Sequence, residues 1–441
     1  MRRMMCGVAA VCAFAAPAQA QGLRHKISEL FIFGPGEEPL FLAGSASDAT
    51  LRLHGNHFVP SANQGNATVI NFITGSIGGN IANVPVSATS GGATFRFEGG
   101  VPVKTSESLG PIFAERAQTL GRGRLLVGIN QSNLHFQTLR GVDLSNIGLN
   151  FTHDNVDFPG CSQQQGDDCA KLGVPVLEND VMQFKLSLDI DLTVRSLLLT
   201  YGLTDAIDIG VVVPVVSTTL HGESNAQIIP FGGTAAAHFF GGTTTNPVLS
   251  ASRIVEGGAT GLGDVAARMK INVSRSDKVA VALLADARFP SGSEDDLLGS
   301  GGFAARGMAI FSSRFGDFSP HGNVGYLYRH SDIQNNAVLA TIGFDNIMAS
   351  WATLAIDVVS ELQVGNSKLV VPGPVVIQSP FRRTVQPTDI PDMRDDIFNA
   401  SVGFKFSVAK SLTVITNGLW PLNRGGLRPN AVWTTGLEYS F

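Results

Sequence analysis

Residues 181–195, VMQFKLSLDIDLTVR, decide the fold. Met182, Phe184, Leu186, Leu188, Ile190, Leu192 and Val194 are apolar, and Gln183, Lys185, Ser187, Asp189, Asp191, Thr193 and Arg195 stand between them. Successive side chains of a strand point to opposite faces, so the two sets occupy the two sides of one strand. Strands of soluble proteins run about five or six residues, whereas a tilted strand crossing a bilayer takes roughly nine to eleven. The length predicts a membrane strand whose apolar set meets lipid and whose Lys185, Asp189, Asp191 and Arg195 line a lumen. Backbone groups in lipid must all be paired, so other strands have to repeat the pattern until the sheet closes. The expected class is all-β, a transmembrane antiparallel β-barrel.

The chain downstream repeats the period. Ile207, Ile209, Val211, Val213 and Val215 carry an outward face with Asp208 inward. A long Gly- and Thr-rich loop is expected over 221–260, after which Val265, Ala267, Met269 and Ile271 face out and Asp264, Arg268, Lys270 and Asn272 face in. On the return, Val279, Val281, Leu283, Ala285, Ala287 and Phe289 face out, leaving Asp286 and Arg288 inside. Further strands are expected at 303–314, 318–330, 337–345, 351–362, 397–408, 412–422 and 431–441. Arg306, Arg329, Asp357, Glu361, Lys405 and Glu438 all fall on the inward phase. That agreement has a physical cause, because Arg or Lys on the lipid face at the midplane costs roughly 2–4 kcal/mol. Bacterial single-chain barrels have even strand numbers. The count is twelve if 123–154 contributes one strand, and fourteen if it contributes two and the N-terminal segment one more.

The ends frame this barrel. Residues 1–20 carry Arg2 and Arg3, an apolar run over 4–16 and Ala18-Gln19-Ala20, the pattern of a secretory signal cleaved after Ala20. Loss of the two arginines takes the formal net charge from −5 to −7, which gives no reason to expect nucleic acid as a partner. No later stretch has eighteen unbroken apolar residues, so helical spans are not expected. Residues 21–121 form a separate N-terminal segment before the barrel of 122–441. There Val69, Ile70, Ile73, Ile77 and Ile81 recur at helical spacing, which predicts an amphipathic helix over 67–82, with a short strand at 93–98. This segment either plugs the barrel or forms a periplasmic cap. Cys161 and Cys169, in a polar loop of an exported chain, are expected to form a local disulfide. They lack the spacing of a closed zinc site, and no metal or cofactor is expected.

In the last strand Trp433, Thr435, Leu437, Tyr439 and terminal Phe441 share one face. The terminal aromatic pair Tyr439 and Phe441 resembles the signature by which outer-membrane barrels are delivered to their assembly machinery. The order YGLTDAIDIGVVVPVV, a long loop, GLGDVAARMKI, ADARFPSGSEDDLLGSGG and TLAIDVVSEL resembles the phenol-degradation meta-pathway family of outer-membrane barrels, over roughly 180–441. The resemblance implies a bacterial outer-membrane location among lipid and lipopolysaccharide, and passage of small hydrophobic compounds. A barrel without conduction, structural or adhesive, is the second reading. A barrel hydrolase is the third, and His221, His238, His321 and His330 stand in no recognisable nucleophile motif. The expected function is a channel for small hydrophobic or aromatic solutes, without catalysis.

Overall fold

The structure is a computed structural model and describes residues 22–33, 72–73, 75–77, 95–98, 101–104, 109–110, 112–152, 180–230, 238–243, 245–276, 279–377, 382–409 and 411–441. The expected leader at 1–20 and the pair Cys161 and Cys169 lie outside the described residues. Twelve strands close the barrel: β1 (Leu125–Leu139), β2 (Val181–Gly202), β3 (Ile207–Ile229), β4 (Ala266–Arg275), β5 (Val279–Arg288), β6 (Ala304–Ser313), β7 (Phe318–Arg329), β8 (Ala337–Ala349), β9 (Ala352–Gln363), β10 (Ile397–Ala409), β11 (Leu412–Pro421) and β12 (Leu427–Ser440). Each pairs antiparallel with its sequence neighbours, and β12 closes on β1 with Leu437 opposite Ile129. The Phe441 amide extends that seam by donating to the Leu125 carbonyl at 2.8 Å. Of the two strand counts left open by the sequence, twelve is the one observed.

From β4 to β12 the alternation sorts as the charges require. Met269, Leu283, Phe311, Val324, Ile342, Val358, Phe404, Trp433 and Leu437 stay exposed on the outer face. Asp286, Arg306, Asp357, Lys405 and Glu438 lie on the opposite phase of their strands. An exposed apolar belt of this extent, backed by buried charges, is the surface of a protein whose solvent at that height is lipid.

Residues 181–195 have the orientation opposite to the one expected. Strands β2 and β3 run 22 and 23 residues, far more than a bilayer crossing needs. Near the bend to β3 the outer face is apolar, with Leu197, Leu199 and Tyr201 exposed. Further up, Lys185, Asp189, Asp191 and Arg195 are the exposed set, while Phe184, Leu186, Leu188, Ile190, Leu192 and Val194 are buried. These four charged residues therefore do not line the lumen. The physical reason is that period 2 separates two faces without naming the medium each one meets. Above the lipid the outside is water, so there the apolar set turns inward.

Strand β3 reverses at the paired position, since Val194 lies opposite Val216. Below it Ile209, Val211 and Val215 face out; above it Thr219, His221, Asn225 and Gln227 do. The loop expected over 221–260 is likewise mostly sheet. β3 continues to Ile229, and Ser250–Leu262 forms a strand along its upper half, with Val255 opposite Gly222. On the other side Ile147–Thr152 pairs with the start of β2. The result is a wall above the membrane belt, polar outside and apolar inside.

The N-terminal segment covers the apolar side of this wall. Helix α1 (Leu23–Glu29) and the residues after it bury Leu23, Ile27, Leu30 and Phe31. Phe31 stacks on Phe184 at 4.7 Å, and Ser224 donates its hydroxyl to the Leu30 carbonyl at 2.7 Å. Close approach depends on two glycines. A Cβ on Gly222 would lie 2.8 Å from Leu30 Cδ1, and one on Gly257 would lie 2.7 Å from Leu23 Cδ2. Of the helix expected over 67–82, residues 72–73 and 75–77 are helical, and Ile73 and Ile77 are fully buried in the same apolar cluster. The expected strand at 93–98 is Phe95–Glu98, in a hairpin with Val101–Lys104.

Candidate functional site

The chain just before β1 runs without helix through residues 112–124 and touches inward side chains of several strands. Glu115 pairs with Arg268 on β4, and Arg116 pairs with Asp345 on β8 at 2.6 Å. Ala117 donates its amide to Ser312 Oγ at 3.0 Å and accepts from Asn272 Nδ2 at 2.8 Å. The Leu120 amide donates to both carboxylate oxygens of Asp208 at 3.1 Å, and Thr119 Oγ1 donates to the Asp205 carbonyl in the β2–β3 turn at 2.6 Å. Leu109 donates to Thr353 Oγ1 at 3.1 Å on β9. Residues 109–110 and 112–120 thus bridge opposite walls near the short turns. Their apolar side chains match the wall: Ile112 packs with Ala355 and Ile415, and Leu120 packs with Leu198, Val212 and Ala266.

A charge network surrounds this segment. Lys270 sits 3.7 Å from Asp208, and Lys405 sits 3.7 Å from Glu438. His321 bonds Asp357 through Nε2 at 2.7 Å and lies 3.5 Å from Asp345, all three buried. Burial alone would raise the Glu115 carboxyl, but the Arg268 guanidinium and Lys270 ammonium outweigh it and hold Glu115 below the ordinary carboxylate value. Glu115, Arg116 and Asp345 were not singled out from the sequence. The adjacent charges of FAERAQ, inside an apolar run, were the available signal.

At the long-connection end lies a small open pocket bounded by Asp286, Arg288, Arg306, Arg329, Leu327 and Leu339 among others. Arg306 Nε donates to Asp286 at 2.6 Å, and Arg329 pairs with Glu361 at 2.7 Å. Asp264, expected in the lumen, instead anchors the β5–β6 connection, accepting from Gly292 N at 3.1 Å and from Ser300 N and Oγ at 2.8 and 2.6 Å.

Above the lumen charges the interior becomes apolar and aromatic. Phe31, Phe33, Phe151, Phe184 and Phe240 form a contiguous set of ring contacts, with centroids 4.7–6.3 Å apart. The chain belongs to the family described as Putative MetA-pathway of phenol degradation. Residues 181–424 match that family, more than half of the sequence. The structure is also similar to the COG4313 outer membrane channel from Pseudomonas putida F1, with TM-score 0.40, 10% identity, and 74% of this chain and 98% of that one covered. It is similar to a FadL homologue from Pseudomonas aeruginosa, with TM-score 0.32, 12% identity, and 81% and 96% covered. The CymD monoaromatic hydrocarbon channel gives TM-score 0.33 at 8% identity, with 73% and 89% covered. These scores are too low to carry a functional argument. No curated protein matches the chain.

Three of the four histidines weighed for hydrolytic chemistry stand against carboxylates. His238 Nδ1 lies 2.8 Å from Asp180, His221 Nδ1 lies 3.0 Å from Glu256, and His321 lies between two aspartates. On the outer face His135, Asp189 and Asp191 bring their ligand atoms within 4.8 Å of one another. Register assembles that group, with His135 opposite Asp191, across a sequence gap no local motif could reveal. His135 and Asp191 are 2.9 Å apart and account for each other as an exposed cross-strand pair.

Proposed function

We infer that the protein is a bacterial outer-membrane channel for small hydrophobic or aromatic solutes, whose N-terminal segment occupies the barrel and restricts passage. The observation that carries this reading is the inward apolar face of β2, β3 and their flanking strands, on which Phe136, Phe151 and Phe184 lie buried. A pore for ions or sugars needs polar lining along its length, whereas an apolar chamber favours molecules that water rejects. In the same reading α1 and residues 109–120 are the two barriers, one apolar at the outer end and one charged near the short turns. The barrel would sit among lipid and lipopolysaccharide after delivery to the assembly machinery, using Tyr439 and Phe441.

The second reading, a non-conducting structural barrel, draws on the same ion pairs that fix residues 109–120 across the lumen. Proteoliposomes separate the two. The channel reading expects uptake of a labelled aromatic to exceed that of empty vesicles, and expects deletion of residues 21–121 to raise single-channel conductance and weaken solute selectivity. Absence of uptake together with a silent barrel after deletion would favour the structural reading.

A further inference from the structure

On the outer face of the wall, above the membrane belt, the pairing of His135 with Asp191 leaves the position of Asp189 unexplained. His135 Nδ1 lies 2.9 Å from Asp191 and 3.5 Å from Asp189, so two carboxylates converge on one ring nitrogen. That nitrogen carries at most one hydrogen, and Asp191 takes it. The register gives Asp189 another neighbour, His221 on β3, but His221 Nδ1 stands 3.0 Å from Glu256 on the strand Ser250–Leu262. Asp189 and Asp191 are two apart along β2, which puts their Cα atoms about 6–7 Å apart. Their carboxylate oxygens nevertheless come within 4.8 Å of each other. Like charges lean together where a positive charge stands between them. Among the described residues no lysine or arginine pairs with either aspartate, and Arg195, on the same face, gives its Nε to Gln131 at 2.9 Å.

We propose that His135, Asp189 and Asp191 bind a divalent transition ion of the zinc type, through the imidazole Nδ1 and one oxygen of each carboxylate, with water completing the shell. Around a tetrahedral ion with bonds of about 2.1 Å the ligand atoms stand about 3.4 Å apart, and neighbouring ligands of an octahedral ion stand about 3.0 Å apart. Two edges of the triangle formed here, at 2.9 and 3.5 Å, already have such lengths. Three protein ligands with water in the fourth position is the arrangement of an open zinc site. The imidazole nitrogen selects against calcium and magnesium, which take oxygen shells. The ligands stand on two paired strands, with His135 opposite Asp191, so the backbone fixes their spacing before the ion arrives. All three side chains are more than half exposed, so the ion enters from the surrounding water. Once bound, it ties β1 to β2 above the lipid. The site lies outside the barrel and is independent of what the lumen passes.

The test titrates Zn²⁺ into the untagged full chain in nanodiscs at neutral pH, with the cysteines alkylated so that thiols do not compete, and reads affinity by competition with a chromophoric chelator. One ion should bind per chain. Asp189→Asn leaves the His135–Asp191 pair in place and should still weaken binding at least about tenfold, because even the outer partners of a metal ligand are worth about 10- to 100-fold in affinity. His135→Gln should weaken it as much or more, and His221→Gln should leave it unchanged. An excess of Mg²⁺ of about a hundredfold should not displace the ion. The substituted side chains are exposed, so the variants should fold, and heat-modifiable mobility verifies that they do. Absence of binding would overturn the site, and so would displacement by Mg²⁺. Binding that Asp189→Asn and His135→Gln leave unchanged would overturn it as well, as an adventitious ion only.

Discussion

Replacing Arg116 with Gln tests the attachment of residues 109–120 to the barrel wall. Arg116 and Asp345 meet at 2.6 Å with side chains 7% and 0% exposed, so the pair is effectively out of water. Removing one partner of a buried pair costs roughly 3–5 kcal/mol, because the other charge keeps its desolvation penalty. His321 lies 3.5 Å from Asp345 and offers partial compensation, which points to the lower end, about 3 kcal/mol. That corresponds to about a hundredfold rise in the population with the segment undocked. Hydrogen exchange reads it directly, since the amides of Ala117 and Leu120 donate to Ser312 and Asp208 side chains of the wall. In Arg116→Gln both amides should exchange about a hundredfold faster while the barrel amides keep their protection. In a double-mutant cycle with Asp345→Asn, the two losses should be far from additive. Unchanged exchange at both amides in a folded variant would refute the reasoning.

Three other outcomes follow from the same contacts. Gly222→Val puts atoms where the buried side chains of Leu30, Val255 and Leu188 now pack, so the chain after α1 should be displaced from the wall and trypsin should cut faster at Arg24 and Lys26; resistance equal to wild type would contradict the packing. Because Glu115 is held below the ordinary value of 4.5, its contribution to docking is complete above that value and is lost only as pH falls through its lowered pKa. Exchange at Ala117 should accordingly be the same at pH 7 and pH 5.5 apart from the intrinsic rate. Deleting Phe441 removes the amide that bonds Leu125 and the ring 4.6 Å from Tyr439, and should reduce the heat-modifiable barrel on gels while precursor accumulates.

The charges of β4 to β12 made most of the fold legible, because lipid penalises a misplaced Arg306 or Lys405 and leaves one phase open to them. The same logic failed on β2, where Lys185 to Arg195 look like a lumen ladder and face water outside. Its flip was readable in principle. The apolar set runs on even numbers to Val194, Ser196 then breaks it, and Leu197, Leu199 and Tyr201 continue on odd numbers. Strand β3 repeats the change between Val215 and Ser217. The N-terminal contacts were less accessible, since Arg116 and Asp345 are joined only by closure of the barrel. The group of His135, Asp189 and Asp191 likewise depends on the register of β1 against β2, which periodicity does not specify.

The inversion along β2 is the most direct test of the architecture, and single cysteines at Leu188, Asp189, Ser196 and Leu197 read it in intact cells. Asp189→Cys should react quickly with a membrane-impermeant maleimide, and Leu188→Cys should be protected. A fluorophore on Leu197→Cys should be quenched by lipid-borne spin labels, and one on Ser196→Cys should not. Lipid quenching at Leu188 with protection at Asp189 would contradict the account, because the apolar face would then meet the membrane along the whole strand.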